Sequence, residues 1–341
     1  MLLPTSKTLQ VPELALHHGG LLAPLTTAYE TFGTLNTARD NAILLCHGYT
    51  NHAHAAGDES GWWHVLIGPG KAIDTERFFV VCANMIGSAF GSTGPASINP
   101  ATGRPFGATF PRLATSDMVE TQRRLLEHLG VTTLRAVIGY SYGGTLAFTW
   151  AETYPDMMRA VVVVASSIKG RGDDSMITAM ENRFAKCGGW NGGDFYDADP
   201  SGTVREELKA IRIETLRGYG VAGSLRDSLG SDQAAAQQLD KMGADWAAHF
   251  DPHSLIVLRR AAMEFDGRPN ARAIKAPLLY VLSRTDAVYP PALAEPTMTL
   301  LKDVGVSAEY CEIDSAYGHA APAADWAKWS DTLAKFLQRH A

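Results

Sequence analysis

Short apolar runs alternate with amphipathic stretches along most of this chain. Residues 41–46, 78–82 and 136–138 are aliphatic runs bounded by polar or turn-forming residues, and 160–165 reads Ala-Val-Val-Val-Val-Ala. Continuous rather than alternating hydrophobicity marks strands buried on both faces, as in a parallel sheet. Residues 14–22 and 25–32 predict two more strands, with Gly19-Gly20 as the turn of a hairpin-like start. Residues 116–129 predict a helix with Ser116 as N-cap, Met118, Leu125, Leu126 and Leu129 on its apolar face, and Gly130 as its stop. Residues 145–152 predict another, and 325–340 a terminal amphipathic helix. Between 168 and 267 the strand pattern vanishes, and helical stretches alternate with Gly-rich turns; sheet signals return at 277–282 and 309–313. A helical block inserted into an alternating β/α pattern predicts a cap over the carboxyl edge of a mostly parallel sheet. The expected division is a core of residues 1–167 and 268–341 with a helical lid of 168–267.

The predicted strand at 136–138 runs straight into Gly139-Tyr140-Ser141-Tyr142-Gly143-Gly144, and a helix follows. Strand, G-x-S-x-G and helix in that order form the context of a nucleophile elbow. The chain must reverse within a few residues, so the serine sits in a strained conformation and only small neighbours fit around it. Ser141 is therefore the candidate nucleophile, exposed at the top of a sheet beside a helix N-terminus that favours negative charge.

A serine nucleophile needs a base, and the base needs a group to orient it. Asp286 follows the predicted strand at 277–282, and His319 follows the one ending at Ile313. Both fall at strand carboxyl ends, the edge where Ser141 emerges. The chain order Ser, Asp, His is that of the α/β-hydrolase fold. Asp314 is a competing carboxylate, ranked second because a residue ending the strand is poorly placed to reach Nδ1 of His319. His47-Gly48-Tyr49-Thr50 follows the strand at 41–46, where the second oxyanion-hole loop of such a sheet belongs.

Composition narrows the classes. Apolar residues make up 46% of the 341, charged residues 19%, and the net charge is −6. That suits a sizeable globular core, and no basic run points to nucleic acid or an anionic membrane. Cys46, Cys82, Cys187 and Cys311 have neither metal-like nor disulfide-like spacing; Cys46, Cys82 and Cys311 fall in predicted strands and read as buried free thiols. His52, His54 and Asp58 cluster in one loop but lack the spacing of a metal site, so no metal is expected. No segment approaches ~18 unbroken apolar residues, and the stretch from Met1 to Lys7 lacks a leader-like charged segment. A cytoplasmic protein is the default expectation.

The sequence resembles the homoserine O-acetyltransferase family, a branch of the α/β-hydrolase superfamily. The resemblance lies at Tyr29-Glu-Thr-Phe-Gly-Thr-Leu-Asn36, Ala38-Arg-Asp-Asn-Ala-Ile-Leu-Leu-Cys-His47, Gly61-Trp-Trp63 and Leu66-Ile-Gly-Pro-Gly-Lys-Ala-Ile-Asp74. It continues at Gly91-Ser-Thr-Gly-Pro-Ala-Ser-Ile-Asn-Pro100, Trp190-Asn-Gly-Gly-Asp194, Phe250-Asp251 and Phe265-Asp266. It implies Ser141, Asp286 and His319 as a triad, the backbone N–H groups of Tyr49 and Tyr142 as the oxyanion hole, and a helical lid often used for dimerisation. It also implies a lid cation for the substrate carboxylate, for which Lys209, Arg212 and Arg217 are the candidates.

Three departures bear on substrate. The family's elbow is typically Gly-Gly-Ser-Met-Gly-Gly, so Tyr140 and Tyr142 add aromatic surface beside the nucleophile. Where the family has His-Ala-Leu-Thr, this chain has His47-Gly48-Tyr49-Thr50. The family's histidine is followed by an aspartate that helps hold the homoserine amino group; here Ala320 follows His319. A methyl cannot pair with an ammonium, and an unpaired charge in a closed pocket costs several kcal/mol. The expected activity is a carboxylic ester hydrolase acting on a small-molecule ester through an acyl-enzyme, without cofactor or metal. The alternatives are an O-acetyltransferase with acetyl-CoA as co-substrate and a non-catalytic ligand-binding protein on the same scaffold.

Overall fold

The computed structural model describes residues 6–199 and 202–341; the N-terminal reading above falls mostly on residues 1–5, outside the described residues. Eight strands form one sheet: β1 (Lys7–Val11), β2 (Leu25–Phe32), β3 (Ala42–Cys46), β4 (Phe79–Ala83), β5 (Leu134–Tyr140), β6 (Val161–Val164), β7 (Leu278–Ser283) and β8 (Ala308–Ile313). Their spatial order is β1-β2-β4-β3-β5-β6-β7-β8. β2 runs antiparallel to β1 and β4, and every other neighbouring pair is parallel. The order reverses between β3 and β5, which makes the gap beyond their carboxyl ends the place for a ligand.

The central strands are apolar on both faces because each face meets its own core. Val161, Val163, Leu278 and Tyr280 pack on one side with α1 (Thr115–His128) and α2 (Tyr142–Thr153). Val162, Val164, Leu279 and Val281 pack on the other with Trp63, Trp329 and Phe336. Each such aliphatic side chain contributes about 1.5–3 kcal/mol on burial.

Five helices lie between β6 and β7: α3 (Asp174–Ala185), α4 (Thr203–Gly218), α5 (Val221–Leu229), α6 (Asp232–Ala247) and α7 (Pro252–Glu264). The block joins the sheet through a narrow neck, where Gly170 N–H donates to Phe265 O (2.7 Å) and Gly267 N–H to Ile168 O (2.9 Å). The family-like residues around 190 and 250 shape this block. Asp251 accepts from the N–H groups of His253 and Ser254 at the start of α7, and the His253 ring lies 2.7 Å from Gly193 O. Two longer helices follow, α8 (Ala294–Asp303) and α9 (Ser330–His340), with the four-residue helix Ala321–Ala324 between them. Among the described residues no helix is long and apolar enough to cross a membrane.

The structure corrects the sequence reading at several places. Gly19-Gly20 does not join 14–22 to 25–32; it turns Leu14–Ala15 back on Leu21–Leu22, and β2 pairs instead with β1. β1 carries only the weak alternation of a half-exposed edge strand, which hid it. The helix predicted from Ser116 begins at Thr115, and Asp117, not Ser116, reaches back to the Ala114 N–H (2.8 Å). The predicted terminal helix is interrupted at Trp329, and α9 proper begins at Ser330. Cys46 and Cys82 are buried, but Cys311 is only half-buried, because β8 is the edge of the sheet.

Candidate active site

Ser141 follows β5 at the centre of the sheet and opens α2. Its backbone is held at φ 56°, ψ −118°, a region a non-glycine residue rarely occupies. The glycines around it are required by close approach. A Cβ on Gly143 would stand 1.9 Å from Cys46 O, one on Gly139 2.0 Å from Gly143 O, and one on Gly144 2.3 Å from the Ser166 Cβ. Strand β5, the elbow and α2 thus press against β3 and β6 with no room for side chains, and the strain at Ser141 is locked in.

His319 and Asp286 arrive from the loops after β8 and β7. His319 Nε2 lies 2.9 Å from Ser141 Oγ, and its Nδ1 lies 2.8 Å from Asp286 Oδ2. Both side chains are fully shielded from solvent. The other carboxylate oxygen of Asp286 accepts from the N–H groups of Val288 (2.7 Å) and Tyr289 (3.1 Å), which fixes its orientation. The histidine loop is pinned by Gly318 N–H to Thr285 Oγ1 (3.0 Å) and by Thr285 Oγ1–H to Ser315 O (2.8 Å). Asp314 is exposed and pairs with Arg284, so the structure does not bring it to His319.

The loop after β3 passes directly beside the serine. A Cβ on Gly48 would lie 3.6 Å from the Ser141 Cβ. His47 braces this loop. Its Nε2 accepts from Met85 N–H (3.1 Å), so its proton sits on Nδ1 and is donated to Gly48 O (2.8 Å). Burial pushes the His47 pKa down to about 4, so the ring is neutral at pH 7. Neither the Tyr49 nor the Tyr142 N–H donates to another described backbone group; Tyr142 is the first residue of α2, where N–H groups lack helical partners. The Tyr49 and Tyr142 rings stack on each other (6.0 Å, 6°), and Tyr49 Oη–H donates to Leu255 O on α7.

A cavity of about 240 Å³ opens above Ser141 and His319, bounded by Gly48 to Asn51, Trp62, Trp63, Tyr140, Ala320 and Ala323 of the core and by Arg212, Leu216, Tyr219, Val221 and Met242 of the helical block. None of its lining residues is Asp or Glu. A larger cavity of about 480 Å³ lies between α3 and α7, contains none of Ser141, His319 or Asp286, and is crossed by the Arg112–Glu264 and Arg260–Glu181 ion pairs. Ser141 and His319 face the smaller one.

Of the three cations expected from the helical block, one reaches the cavity. Arg212 Nη1 donates to Thr50 Oγ1 (2.7 Å), its guanidinium lies 5.3 Å from the Trp246 ring, and its Nε has no partner. Burial pushes its pKa down to about 10. Lys209 instead pairs with Asp240 on α6 (2.8 Å), and Arg217 is exposed. Tyr140 lines the cavity, but its hydroxyl donates to His319 O (2.8 Å) rather than into the space. Thr50, Tyr219 and Trp62 border the cavity without having been expected to. Thr50 sits within the recognised loop, whereas nothing in a helical pattern says which turn of α4 meets the sheet. His54 lies between Glu30 (2.8 Å) and Asp58 (3.2 Å), and among the described residues no group of three or more His, Cys, Asp or Glu is placed to hold a metal ion.

The profile of the alpha/beta hydrolase fold family matches residues 41–322. The homoserine O-acetyltransferase of Solidesulfovibrio magneticus is 35% identical over an alignment covering 96% of this chain and 89% of that protein. This chain belongs to the homoserine O-acetyltransferase family. The Geobacter metallireducens homoserine O-acetyltransferase is 34% identical, with 96% of this chain and 95% of that one covered. Among solved structures, a homoserine O-acetyltransferase from Bacillus anthracis is 27% identical with a TM-score of 0.85, covering 98% of each chain. An esterase superposes equally well, with a TM-score of 0.85 and 26% identity over 97% of this chain and 99% of that one. A homoserine O-acetyltransferase family member of this kind is an α/β-hydrolase-fold enzyme, which sets aside the non-catalytic reading. The family's fold is thus found here with both transferase and esterase neighbours.

Proposed function

We propose that this enzyme hydrolyses short-chain carboxylic esters through an acyl-enzyme on Ser141. His319 takes the Ser141 proton as Oγ attacks the ester carbonyl. Asp286 holds Nδ1–H, fixes the tautomer and stabilises the imidazolium. The Tyr49 and Tyr142 N–H groups receive the tetrahedral oxyanion, a contribution of roughly 3–4 kcal/mol per donor. Collapse of the intermediate expels the alcohol, which takes the proton from His319, and leaves the acyl group on Ser141. Water then attacks with His319 again as base, and the carboxylic acid leaves. The helical block acts as a lid that limits substrate size; it is also the surface through which a homodimer would form. Hydrolysis by this route needs no cofactor or metal. The setting we assign is cytoplasmic, with a small-molecule ester or acyl donor as partner and no nucleic acid or membrane.

The observation that carries the hydrolytic reading is the charge of the cavity. Arg212 supplies a cation with an unpartnered Nε, and no lining residue supplies an anion. A carboxylate on the alcohol portion of the ester would find a strong charge-assisted partner there. An ammonium would find none and would lie near Arg212. Homoserine is therefore a poor competitor for the acyl-enzyme, and water discharges it.

The second reading is acetyl transfer from acetyl-CoA to homoserine. It is favoured by the names of the curated relatives and by Arg212, which stands ready for an acceptor carboxylate. Short acyl esters and acetyl-CoA, each assayed with and without homoserine, separate the two. Continued hydrolysis of esters without added alcohol, and little O-acetylhomoserine with it, supports the esterase. Efficient transfer with little hydrolysis supports the transferase.

A further inference from the structure

We propose that Tyr140 and Tyr219 form an aromatic clamp that positions His319 and stabilises its imidazolium. The inference rests on Ser141 as nucleophile and His319 as its base, and is independent of whether water or an alcohol discharges the acyl group.

Tyr140 ends β5, one residue before the nucleophile. Its ring stacks on the His319 ring at 5.3 Å and 23°, while its hydroxyl donates to the carbonyl of the same histidine at 2.8 Å. One side chain thus holds both the imidazole and its backbone. Tyr219, just beyond α4, approaches from the helical block. Its ring lies 4.6 Å from His319 at 57°, and its carbonyl accepts the Ala320 N–H at 2.8 Å. Behind Tyr140 an aromatic column continues through Trp63 (5.6 Å) to Trp329 (5.9 Å). The stack on one side and the hydroxyl bond to His319 O on the other hold Tyr140 at the wall of the cavity.

Asp286 already orients the ring through Nδ1, so orientation alone would not call for two more contacts. Charge does. When Ser141 gives up its proton, His319, its side chain shielded from solvent, becomes a cation in a cavity that already holds Arg212. The negative faces of aromatic rings attract that cation far more than they attract neutral imidazole. An interaction that strengthens as the charge forms lowers the barrier rather than merely binding the ground state. The groups facing His319 are Asp286, Ser141, Tyr140, Tyr219 and Tyr289, the last at 5.8 Å. Arg212 shares the cavity and opposes a second positive charge, so the rings offset a repulsion built into this site. A glycine before the nucleophile, as in the family's typical elbow, would supply no such ring.

The test is the rate at which a fluorophosphonate labels Ser141, followed across pH. In that step the Oγ–P bond forms, the P–F bond breaks, fluoride leaves and the serine proton passes to His319. No substrate or acceptor needs to be known. Tyr140→Leu and Tyr219→Leu should each label roughly five- to thirty-fold more slowly, which at ~1.4 kcal/mol per decade is about 1–2 kcal/mol. Losing a ring makes the imidazolium less favourable, so the acidic limb of the profile should move to lower pH in both variants. Tyr140→Phe, which keeps the ring, should restore both rate and limb. Slower labelling with an unmoved limb, or a Phe variant as impaired as the Leu variant, would overturn the clamp. If Tyr140→Leu does not fold, Tyr219→Leu carries the test alone. A wild type that takes no label removes the nucleophile and the clamp with it.

Discussion

Placing an acid where this chain has Ala320 should convert the cavity towards an amino-alcohol acceptor. Ala320 lines the cavity with backbone φ −77°, ψ −12°, and its N–H donates to Tyr219 O (2.8 Å) and Tyr317 O (3.0 Å). Ala320→Asp changes only the side chain, so those two backbone bonds are kept. With about 240 Å³ of space above Ser141, a carboxyl group fits beside a small acceptor. The new carboxylate would take the homoserine ammonium while Arg212 takes its carboxylate. A charge-assisted hydrogen bond in a desolvated site is worth about 1.5–3 kcal/mol, or roughly ten- to hundred-fold in partition. The assay feeds an acetyl donor with increasing homoserine and measures free acetate against O-acetylhomoserine by nuclear magnetic resonance. The transfer-to-hydrolysis ratio should rise by that factor over wild type. The same substitution puts a negative charge near His319 and should move the acidic limb of the rate profile upward. A folded variant with an unchanged partition ratio would refute the charge argument, and so would a wild type that already favours homoserine over water.

Other consequences follow from the same geometry. Ser141→Ala, His319→Ala and Asp286→Asn should each lower kcat by orders of magnitude, with combined effects far short of the product; Asp314→Asn should stay near wild type, since Asp314 pairs with Arg284. If Asp314→Asn were the crippled one, the choice of orienting carboxylate would be wrong. Gly143→Ala should abolish soluble, active protein, because its Cβ would come within 1.9 Å of Cys46 O; normal expression with full activity would contradict the packing of the elbow. Glu152 is a stability test with a defined sign. Burial raises its pKa from 4.5 to about 8, and its Oε1 has no partner, so the folded state holds a proton that the unfolded chain releases. Stability should fall as pH rises from about 4.5 to 8. Glu152→Gln should remove that slope and raise the midpoint of urea unfolding at pH 8; an equal slope in both proteins would refute it.

The site was more legible in the sequence than the chain's ends. Ser141 was readable because close approach leaves no alternative to glycine at 139, 143 and 144, and that constraint prints itself as a local pattern. Asp286 and His319 were readable because each follows a strand of a sheet with a known chain order. Buried strands such as β6 announced themselves, whereas β1 did not, since a half-exposed element carries a diluted pattern; the terminal helix was legible but its break at Trp329 was not. The choice among Lys209, Arg212 and Arg217 could not be made from sequence. All lie on one helix within a few turns, and only the packing of α4 on the loop at Thr50 decides which points inward. The engagement of the Tyr140 hydroxyl with His319 O was equally hidden, because it joins residues 179 positions apart.

The covalent step is the most direct test of Ser141. Wild-type protein mixed with an excess of a short-chain acetyl ester, quenched in acid within the first turnovers and digested for peptide mass spectrometry, should carry acetyl on the peptide containing Ser141. The acetyl should disappear as free acetate when the ester is exhausted, at the rate of steady-state hydrolysis and without any added alcohol. Turnover with no acyl group on Ser141, or an acetyl that persists until homoserine is added, would contradict it.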